Sequence, residues 1–178
     1  MRASALMLAL AAMLALPAPP AEAQTSRDPA LEEWTVPYSA SRPRDPMVGP
    51  DGRVWFVGQV GNYVSVLDPE TGEFTKYDLD EGAGPHNLVV DTDGTVWYTG
   101  NTATHIGKLD PETGEIEKFM MPDDRARDPH TLIFDSQGDM WFTVQGGNFI
   151  GKFFKDTGEV RLVESLRVQS QRGTSSRP

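Results

Sequence analysis

The stretch DGTVWYTG at residues 93–100 is the part of the sequence that decides the fold. The same pattern stands at residues 51–58 as DGRVWFVG and at residues 137–144 as QGDMWFTV. Its tryptophan therefore recurs at Trp55, Trp97 and Trp141, a period of roughly 40 residues. A period in this range with a glycine and aromatic signature is typical of β-propeller blades.

The repeat extends well beyond the tryptophan. The three copies align without gaps over Pro43–Gly72, Pro85–Gly114 and Pro129–Gly158. A second motif, DPETGE, occurs at residues 68–73 and again at 110–115. The repeated position of the three tryptophans predicts that they pack in the blade cores and do not form a sugar-stacking platform.

Each copy divides into four short strands. In the second copy, segments rich in β-branched and aromatic residues lie at 86–90, 96–99, 105–109 and 115–120, separated by turn sequences. The turn at Asp91–Gly94 is interpreted as a hairpin, because it lacks the downstream acids of a calcium loop. The mature chain shows no helical period of apolar residues. The sequence thus predicts an all-β chain of three four-stranded blades, at residues 43–84, 85–128 and 129–164.

Both ends of the repeat region depart from a complete propeller. Leu31–Pro37 matches the fourth strand of the second copy, which predicts a lone outer strand within the N-terminal segment 24–42. Residues 165–178 contain four Ser, three Arg and no acid, so we expect a disordered tail or the product of a truncated or frame-shifted reading frame. Three blades would form an incomplete propeller, an open arc whose blade edges favour self-association.

The N-terminus has the organisation of a signal peptide. A basic start at Met1 and Arg2 precedes the apolar run Ala3–Leu16, and Ala21–Ala23 forms an A-x-A cleavage pattern. We predict a signal peptide over residues 1–23 and a secreted or periplasmic mature protein that does not remain in the membrane. The alternative is a retained membrane anchor.

Composition excludes several classes of function. The chain has 178 residues, no cysteine and a formal net charge of −10. A disulfide scaffold, a thiolate metal site and a cysteine nucleophile are therefore excluded. An acidic chain has no basic surplus with which to neutralise phosphates, so a nucleic-acid partner is not expected.

Within the repeat, shorter motifs resemble those of the virginiamycin B lyase family. Proline-histidine pairs at residues 85–86 and 129–130 precede WYT at 97–99 and WFT at 141–143, and IGK follows at 106–108 and 150–152. The resemblance covers residues 31 to about 164. It implies a relative of seven-bladed, Mg²⁺-dependent enzymes that linearise cyclic depsipeptide antibiotics by β-elimination, and hence a small-molecule or cyclic peptide substrate.

This resemblance also implies the site residues. His130 matches the catalytic histidine of the family, and His86 matches its substrate-binding histidine. Asp128 and Gln145 occupy the positions of two magnesium ligands, where the family has glutamate and a second acid. The chain therefore keeps one shortened carboxylate and replaces the other with a neutral amide. The innermost strand of each blade starts beside the central channel, so both histidines are expected at one shared mouth.

Residue chemistry is compatible with this reaction. A neutral imidazole can take a proton α to a carbonyl near pH 7, and Mg²⁺ can stabilise the enolate as a Lewis acid. Mg²⁺ prefers hard oxygen ligands and keeps several waters, so Asp128 and the Gln145 carbonyl could bind it. For His86 and His130, the alternative is a purely structural hydrogen bond to a neighbouring blade.

Other functions remain open. The changes at Asp128 and Gln145 favour a non-catalytic periplasmic binding or scaffold propeller, whereas the paired proline-histidine motifs favour a lyase. A lactonase-type hydrolase would need more inward-facing carboxylates. Arg44 fills the histidine position of the first copy and is interpreted as a solvated rim charge, with anion binding as the alternative. His105 is interpreted as a packing or edge histidine.

Overall fold

The computed structural model describes residues 31–165. The predicted signal peptide at residues 1–23 lies outside this range, as do residues 166–178 of the predicted tail. The chain divides into two units, residues 1–33 and 34–178. Of the first unit only residues 31–33 are described, and they form no helix or strand. Between residues 31 and 165 no helix is long and apolar enough to cross a membrane.

Twelve short strands make up the described chain. They are β1 (Pro43–Val48), β2 (Val54–Gly58), β3 (Tyr63–Leu67), β4 (Phe74–Asp78), β5 (Pro85–Val90), β6 (Val96–Gly100), β7 (His105–Leu109), β8 (Ile116–Met120), β9 (Pro129–Phe134), β10 (Met140–Val144), β11 (Phe149–Phe154) and β12 (Glu159–Glu164). They form three antiparallel four-stranded sheets, each pairing consecutive strands. We call these sheets blades one, two and three. The prediction of an all-β chain with three four-stranded blades is confirmed.

The glycine of the IGK motif has a structural role. In blade two the ladder pairs Tyr98 of β6 directly with Gly107 of β7, and blade three pairs Phe142 with Gly151 in the same way. The aromatic ring lies flat over the glycine, so a Cβ added at Gly107 would stand 2.1 Å from the Tyr98 ring. Only a residue without a side chain leaves room for the ring at this position.

The cores lie between blades. One cluster joins Trp55 of blade one to Leu88 and Tyr98 of blade two, and a second joins Trp97 of blade two to Leu132 and Phe142 of blade three. Since side chains alternate across a strand, each blade contributes one face to each neighbour. Blade two, covered on both faces, has a fully buried β6, whereas β10 of blade three alternates between buried and exposed residues.

The lone N-terminal strand predicted for residues 31–37 is not formed. This segment is irregular: each described blade already has a fourth strand of its own, so residues 31–37 complete none of them and have no ladder of hydrogen bonds from which to form a strand. The chain instead follows the outer face of blade one. Tyr38 packs edge-on against Tyr63 and Phe74 at ring-centroid distances of 4.9 and 6.4 Å. Trp34 helps to line an apolar cavity of about 340 Å³ on the same face.

The tryptophan prediction holds for two blades and fails for the third. Trp55 and Trp97 are buried in the inter-blade cores, but the Trp141 residue is 39% exposed. Each tryptophan points toward the following blade, and within residues 31–165 no blade follows the third. The indole of Trp141 lies at the open face and donates a hydrogen bond to Asp135 Oδ2 at 3.1 Å.

Candidate functional site

The three inner strands share an irregular start. Strands β1, β5 and β9 lie side by side as the innermost strands of consecutive blades. Each pairs irregularly with its neighbour near its first residues, in the manner of a β-bulge. A bulge redirects a side chain that a regular strand would place elsewhere. The repeated basic position, Arg44, His86 or His130, falls in this irregular stretch of each blade.

His86 and His130 come together at this rim. Their ring centroids are 3.5 Å apart and the ring planes are inclined by 39°. The His86 residue is 5% exposed, whereas His130 is half-buried. Two residues separated by 44 positions in the sequence are thus in contact, because they occupy equivalent positions of adjacent blades.

Electrostatics favours the neutral form of His86. Burial lowers its pKa, and the neighbouring His130 and Arg44 lower it further, because each adds repulsion to a charged imidazolium. Asp45 opposes the shift: its Oδ2 lies 3.5 Å from His86 Nδ1, without forming a hydrogen bond of acceptable geometry.

A hydrogen-bond network fixes the rim from one blade to the next. Asn87 Nδ2 donates to Asp45 Oδ2 at 3.2 Å, and Asn87 Oδ1 accepts from the Leu132 amide at 2.9 Å. The Thr99 hydroxyl donates to the His130 carbonyl oxygen at 2.7 Å. These contacts join all three inner strands and hold the backbone of His130 against blade two.

One nitrogen of His130 has a fixed partner. Nδ1 lies 3.0 Å from Thr131 Oγ1, and Nε2 makes no hydrogen bond to any residue between 31 and 165. When Nδ1 carries the proton and donates a hydrogen bond to Thr131 Oγ1, Nε2 has a free lone pair and can accept a proton. The side chain of His130 also borders a shallow cavity of about 310 Å³ that includes Gln145.

Asp128 and Gln145 are joined through the backbone. The backbone N–H of Gln145 donates to the backbone carbonyl oxygen of Asp128 at 3.0 Å, and Asp128 adopts a left-handed φ of 57°. Blade one repeats this geometry with Gln59 and Arg42, where the bond is 3.1 Å and φ is 51°. Blades one and three therefore share this backbone arrangement, and of the two only blade three has a carboxylate and an amide at these positions.

The donor set for a divalent cation is small. Among residues 31–165, no group of three or more His, Cys, Asp or Glu side chains is placed to hold a metal ion. Asp128 supplies one carboxylate and Gln145 one amide oxygen. Two hard oxygen donors fit Mg²⁺, which binds through one or two carboxylates and retains several waters. Two donors do not surround the ion, so these residues would not hold it strongly.

Arg44 is more constrained than a solvated rim charge. Its side chain is half-buried, and Nη1 donates to Gln59 Oε1 at 3.0 Å. Nε lies 4.0 Å from Asp45 Oδ1. The guanidinium is thus fixed beside His86, where its charge contributes to the lowered pKa of that imidazole.

Sequence reasoning did not identify Asp45, Asn87 and Thr99 as rim residues. The repeat could have identified two of them, because Asp45 and Asn87 each come directly after the aligned basic residue of their blade. Thr99 is the threonine of the WYT motif, and its hydroxyl explains why that motif carries a hydrogen-bonding residue on a buried strand.

The chain is similar to known proteins in both sequence and structure. The sequence profile of the virginiamycin B lyase family matches residues 23–171. A structure of virginiamycin B lyase from Staphylococcus aureus superposes with a TM-score of 0.70 at 27% identity, covering 77% of this chain and 46% of that enzyme. A streptogramin B lyase structure gives 0.70 at 28% identity, covering 77% and 45%. No curated protein sequence matches the chain.

Two further structures are informative. A catalytically inactive His→Ala variant of the S. aureus enzyme, crystallised with quinupristin, has a TM-score of 0.70 at 27% identity and covers 76% of this chain and 45% of that one. Hydrazine synthase from Kuenenia stuttgartiensis shares the fold alone, at 16% identity and a TM-score of 0.61, covering 75% and 38%. This chain spans less than half the length of the lyase structures. On the profile match and the shared blades, the chain belongs to the virginiamycin B lyase family.

Proposed function

We propose that this protein acts as a carbon–oxygen lyase that opens a cyclic ester or depsipeptide by β-elimination. The observation that carries the proposal is the contact between His86 and His130 at the inner rim, with ring centroids 3.5 Å apart. Family membership supports the reaction class, and the inactive His→Ala variant of the S. aureus enzyme supports a requirement for a histidine.

In this proposal His130 is the general base. Nε2 takes the proton α to the substrate carbonyl, and the C–H electron pair forms a carbon–carbon double bond. The adjacent Cβ–O bond then breaks, and the ester carboxylate leaves with its electron pair. The 3.0 Å contact between Nδ1 and Thr131 orients the ring for this step, and Thr99 holds the His130 backbone. The proton is returned to solvent from Nε2.

His86 is assigned to substrate binding. It is neutral in the working range because burial and its basic neighbours lower its pKa. A neutral imidazole offers one hydrogen-bond donor and one acceptor, which suits the ester and amide groups of a depsipeptide. The Arg44 guanidinium beside it adds a fixed positive charge on the side of the rim formed by blade one.

Asp128 and Gln145 are the residues that would hold Mg²⁺. When bound, the ion would supply positive charge for the oxygen of the enolate that forms as the proton leaves. Asp128 provides the charged oxygen and Gln145 a neutral one, so we expect binding weaker than that of a site with two carboxylates. The 3.0 Å backbone bond between the two residues keeps their chain segments adjacent.

A second function, ligand binding without turnover, is favoured by one specific observation. The residue at the position of the second acid is the neutral Gln145, so only Asp128 contributes a formal charge to the cation. A rim that retains both histidines but binds Mg²⁺ too weakly would still recognise a cyclic peptide. This alternative corresponds to an exported binding propeller.

The deciding experiment incubates the protein with quinupristin and Mg²⁺ and analyses the product by mass spectrometry. Elimination leaves the mass unchanged and creates a new double bond, whereas hydrolysis adds one water. We expect an elimination product from the wild type, and a rate about 10²–10⁴-fold lower for His130→Ala. Lys76→Ala, an exposed change on the outer strand of blade one, is the control and should leave the rate unchanged.

A magnesium titration tests the metal assignment separately. Gln145→Glu restores a second carboxylate, so we expect tighter Mg²⁺ binding by calorimetry and a faster elimination at low Mg²⁺. Saturable quinupristin binding without product, in both wild type and Gln145→Glu, would support the binding function and overturn the lyase. Hydrolysed product would instead indicate lactonase-type chemistry.

A further inference from the structure

The two ring nitrogens of His86 differ in access. Nδ1 is buried and has no hydrogen bond of acceptable geometry to any residue between 31 and 165. Nε2 is not buried to the same extent and forms no hydrogen bond within the described residues, so it is the nitrogen that a molecule at the rim can reach. In a neutral imidazole, the nitrogen that holds the proton donates and the other accepts. The position of this proton therefore decides whether Nε2 donates to a bound molecule or accepts from it.

Asp45 of blade one sets the electrostatics on the buried side of the ring. Its Oδ2 lies 3.5 Å from His86 Nδ1. A carboxylate oxygen attracts an N–H group and repels a nitrogen lone pair, so the proton is favoured on Nδ1. Asn87 Nδ2 donates to the same oxygen at 3.2 Å, which holds the carboxylate in this position. With the proton on Nδ1, Nε2 presents its lone pair at the rim.

His130 has the same polarity at the neighbouring position. Its Nδ1 lies 3.0 Å from Thr131 Oγ1, which leaves Nε2 open. Two acceptor nitrogens on rings with centroids 3.5 Å apart suit a molecule that brings two hydrogens close together. One is the C–H proton that His130 takes in the proposed reaction. In a peptide unit the carbon α to the carbonyl also carries the amide nitrogen, so the second hydrogen is the N–H on the adjacent atom.

We propose that Asp45 is a positioning residue that keeps the proton of His86 on Nδ1, so that Nε2 accepts a hydrogen bond from an amide N–H of the substrate. This role rests on the proposed function, since the molecule at the rim is then a depsipeptide. It gives the substrate contact one direction, in which the substrate donates and His86 accepts. Such a bond forms in the bound substrate and persists in the transition state, so its loss raises KM and leaves kcat nearly unchanged.

Nitrogen-15 NMR of histidine-labelled protein at pH 7.5 locates the proton without any turnover. The chain has three histidines, and His86→Gln identifies the signals of His86 by their loss. We expect the proton on Nδ1 in the wild type. In Asp45→Asn the new amide can accept from Asn87 and donate to Nδ1, so we expect the proton on Nε2. Asparagine tolerates the left-handed φ of 47° at this position, so the variant should fold.

A matched variant controls for the loss of a carboxylate. Asp78→Asn removes an exposed one from the outer strand of blade one, where its partner is Lys76, and should leave the proton of His86 in place. A proton on Nε2 in the wild type, or on Nδ1 in Asp45→Asn, would overturn the role of Asp45.

Kinetics with quinupristin and Mg²⁺ test the hydrogen bond to the substrate. For Asp45→Asn we expect a KM about tenfold higher with kcat nearly unchanged, as for the loss of one hydrogen bond. A lower kcat at unchanged KM would overturn the substrate contact. Absence of elimination by the wild type would contradict the lyase function and with it that contact, whereas the NMR result decides the effect of Asp45 on His86 independently.

Discussion

At the scale of single residues, the two buried histidines determine how the protein responds to acid. His86 and His105 each have a pKa lowered mainly by burial. In the unfolded chain a histidine titrates near 6.5. Between that value and the lower folded pKa, the unfolded chain binds more protons than the folded one. The free energy of unfolding must therefore decrease as pH falls through this window.

We accordingly predict that the protein is less stable to urea at pH 5.5 than at pH 7.5. Carboxylates held by cations, such as Asp135 beside Lys152, have a lowered pKa and lose their contribution only below about pH 4, so they do not account for this loss. His105→Tyr introduces the residue that blade one has at the equivalent position, Tyr63, so it removes one of the two groups and should flatten the dependence. A stability that does not change between the two pH values would contradict the prediction.

At the scale of strands, the aromatic–glycine pairs favour one register in blades two and three. Tyr98 and Gly107 face each other across β6 and β7, and Phe142 and Gly151 do so in blade three. Blade one pairs Phe56 with Ser65 at the same place, so its ring does not cover a glycine. A strand that slipped by one residue would place the ring over a side chain and expose the apolar face.

We predict that Gly107→Ala destabilises the protein by about 1–3 kcal/mol, because the new methyl group would overlap the Tyr98 ring. Urea unfolding measures this loss. Combined with Tyr98→Leu, the substitution should cost less than in the wild type, since the overlapping ring is gone. Additive losses in the double variant would show that the overlap is not the cause.

At the scale of the whole molecule, two blade faces do not pack against another blade: those of blade one and blade three that point away from blade two. These two faces differ. The face of blade one is covered by residues 34–38 of the same chain. The face of blade three exposes four apolar side chains, at Ile133, Trp141, Ile150 and Val163. A contiguous exposed apolar surface of this kind favours association.

We predict that this chain self-associates through the open face of blade three, with a second copy as the partner. Ile133→Lys combined with Ile150→Lys should shift the protein toward monomer in sedimentation velocity, because two charges would be buried in the contact. Val60→Lys, an exposed apolar position in blade one, is the control and should change nothing. A wild type that remains monomeric at high concentration would contradict the prediction.

The sequence by itself determined the blades. The period around Trp55, Trp97 and Trp141 identified three copies, and segments rich in β-branched and aromatic residues between turn sequences placed four strands in each. These features are local and repeated, so each copy reports on the others. The proline-histidine pairs were found in the same way, since equivalent positions in adjacent blades must lie side by side.

Only the tertiary structure decided the strand pairing and burial that depend on contacts between distant segments of the chain. Residues 31–37 match a fourth strand in sequence, but each described blade already has one, and the segment pairs with no sheet. Trp141 matches two core tryptophans, yet it is 39% exposed, because no blade among residues 31–165 packs against it. The burial of His105 depends on Gly100 of the neighbouring strand, where the lack of a side chain leaves room for the imidazole. Such properties belong to contacts between distant segments, and a pattern within one segment cannot specify them.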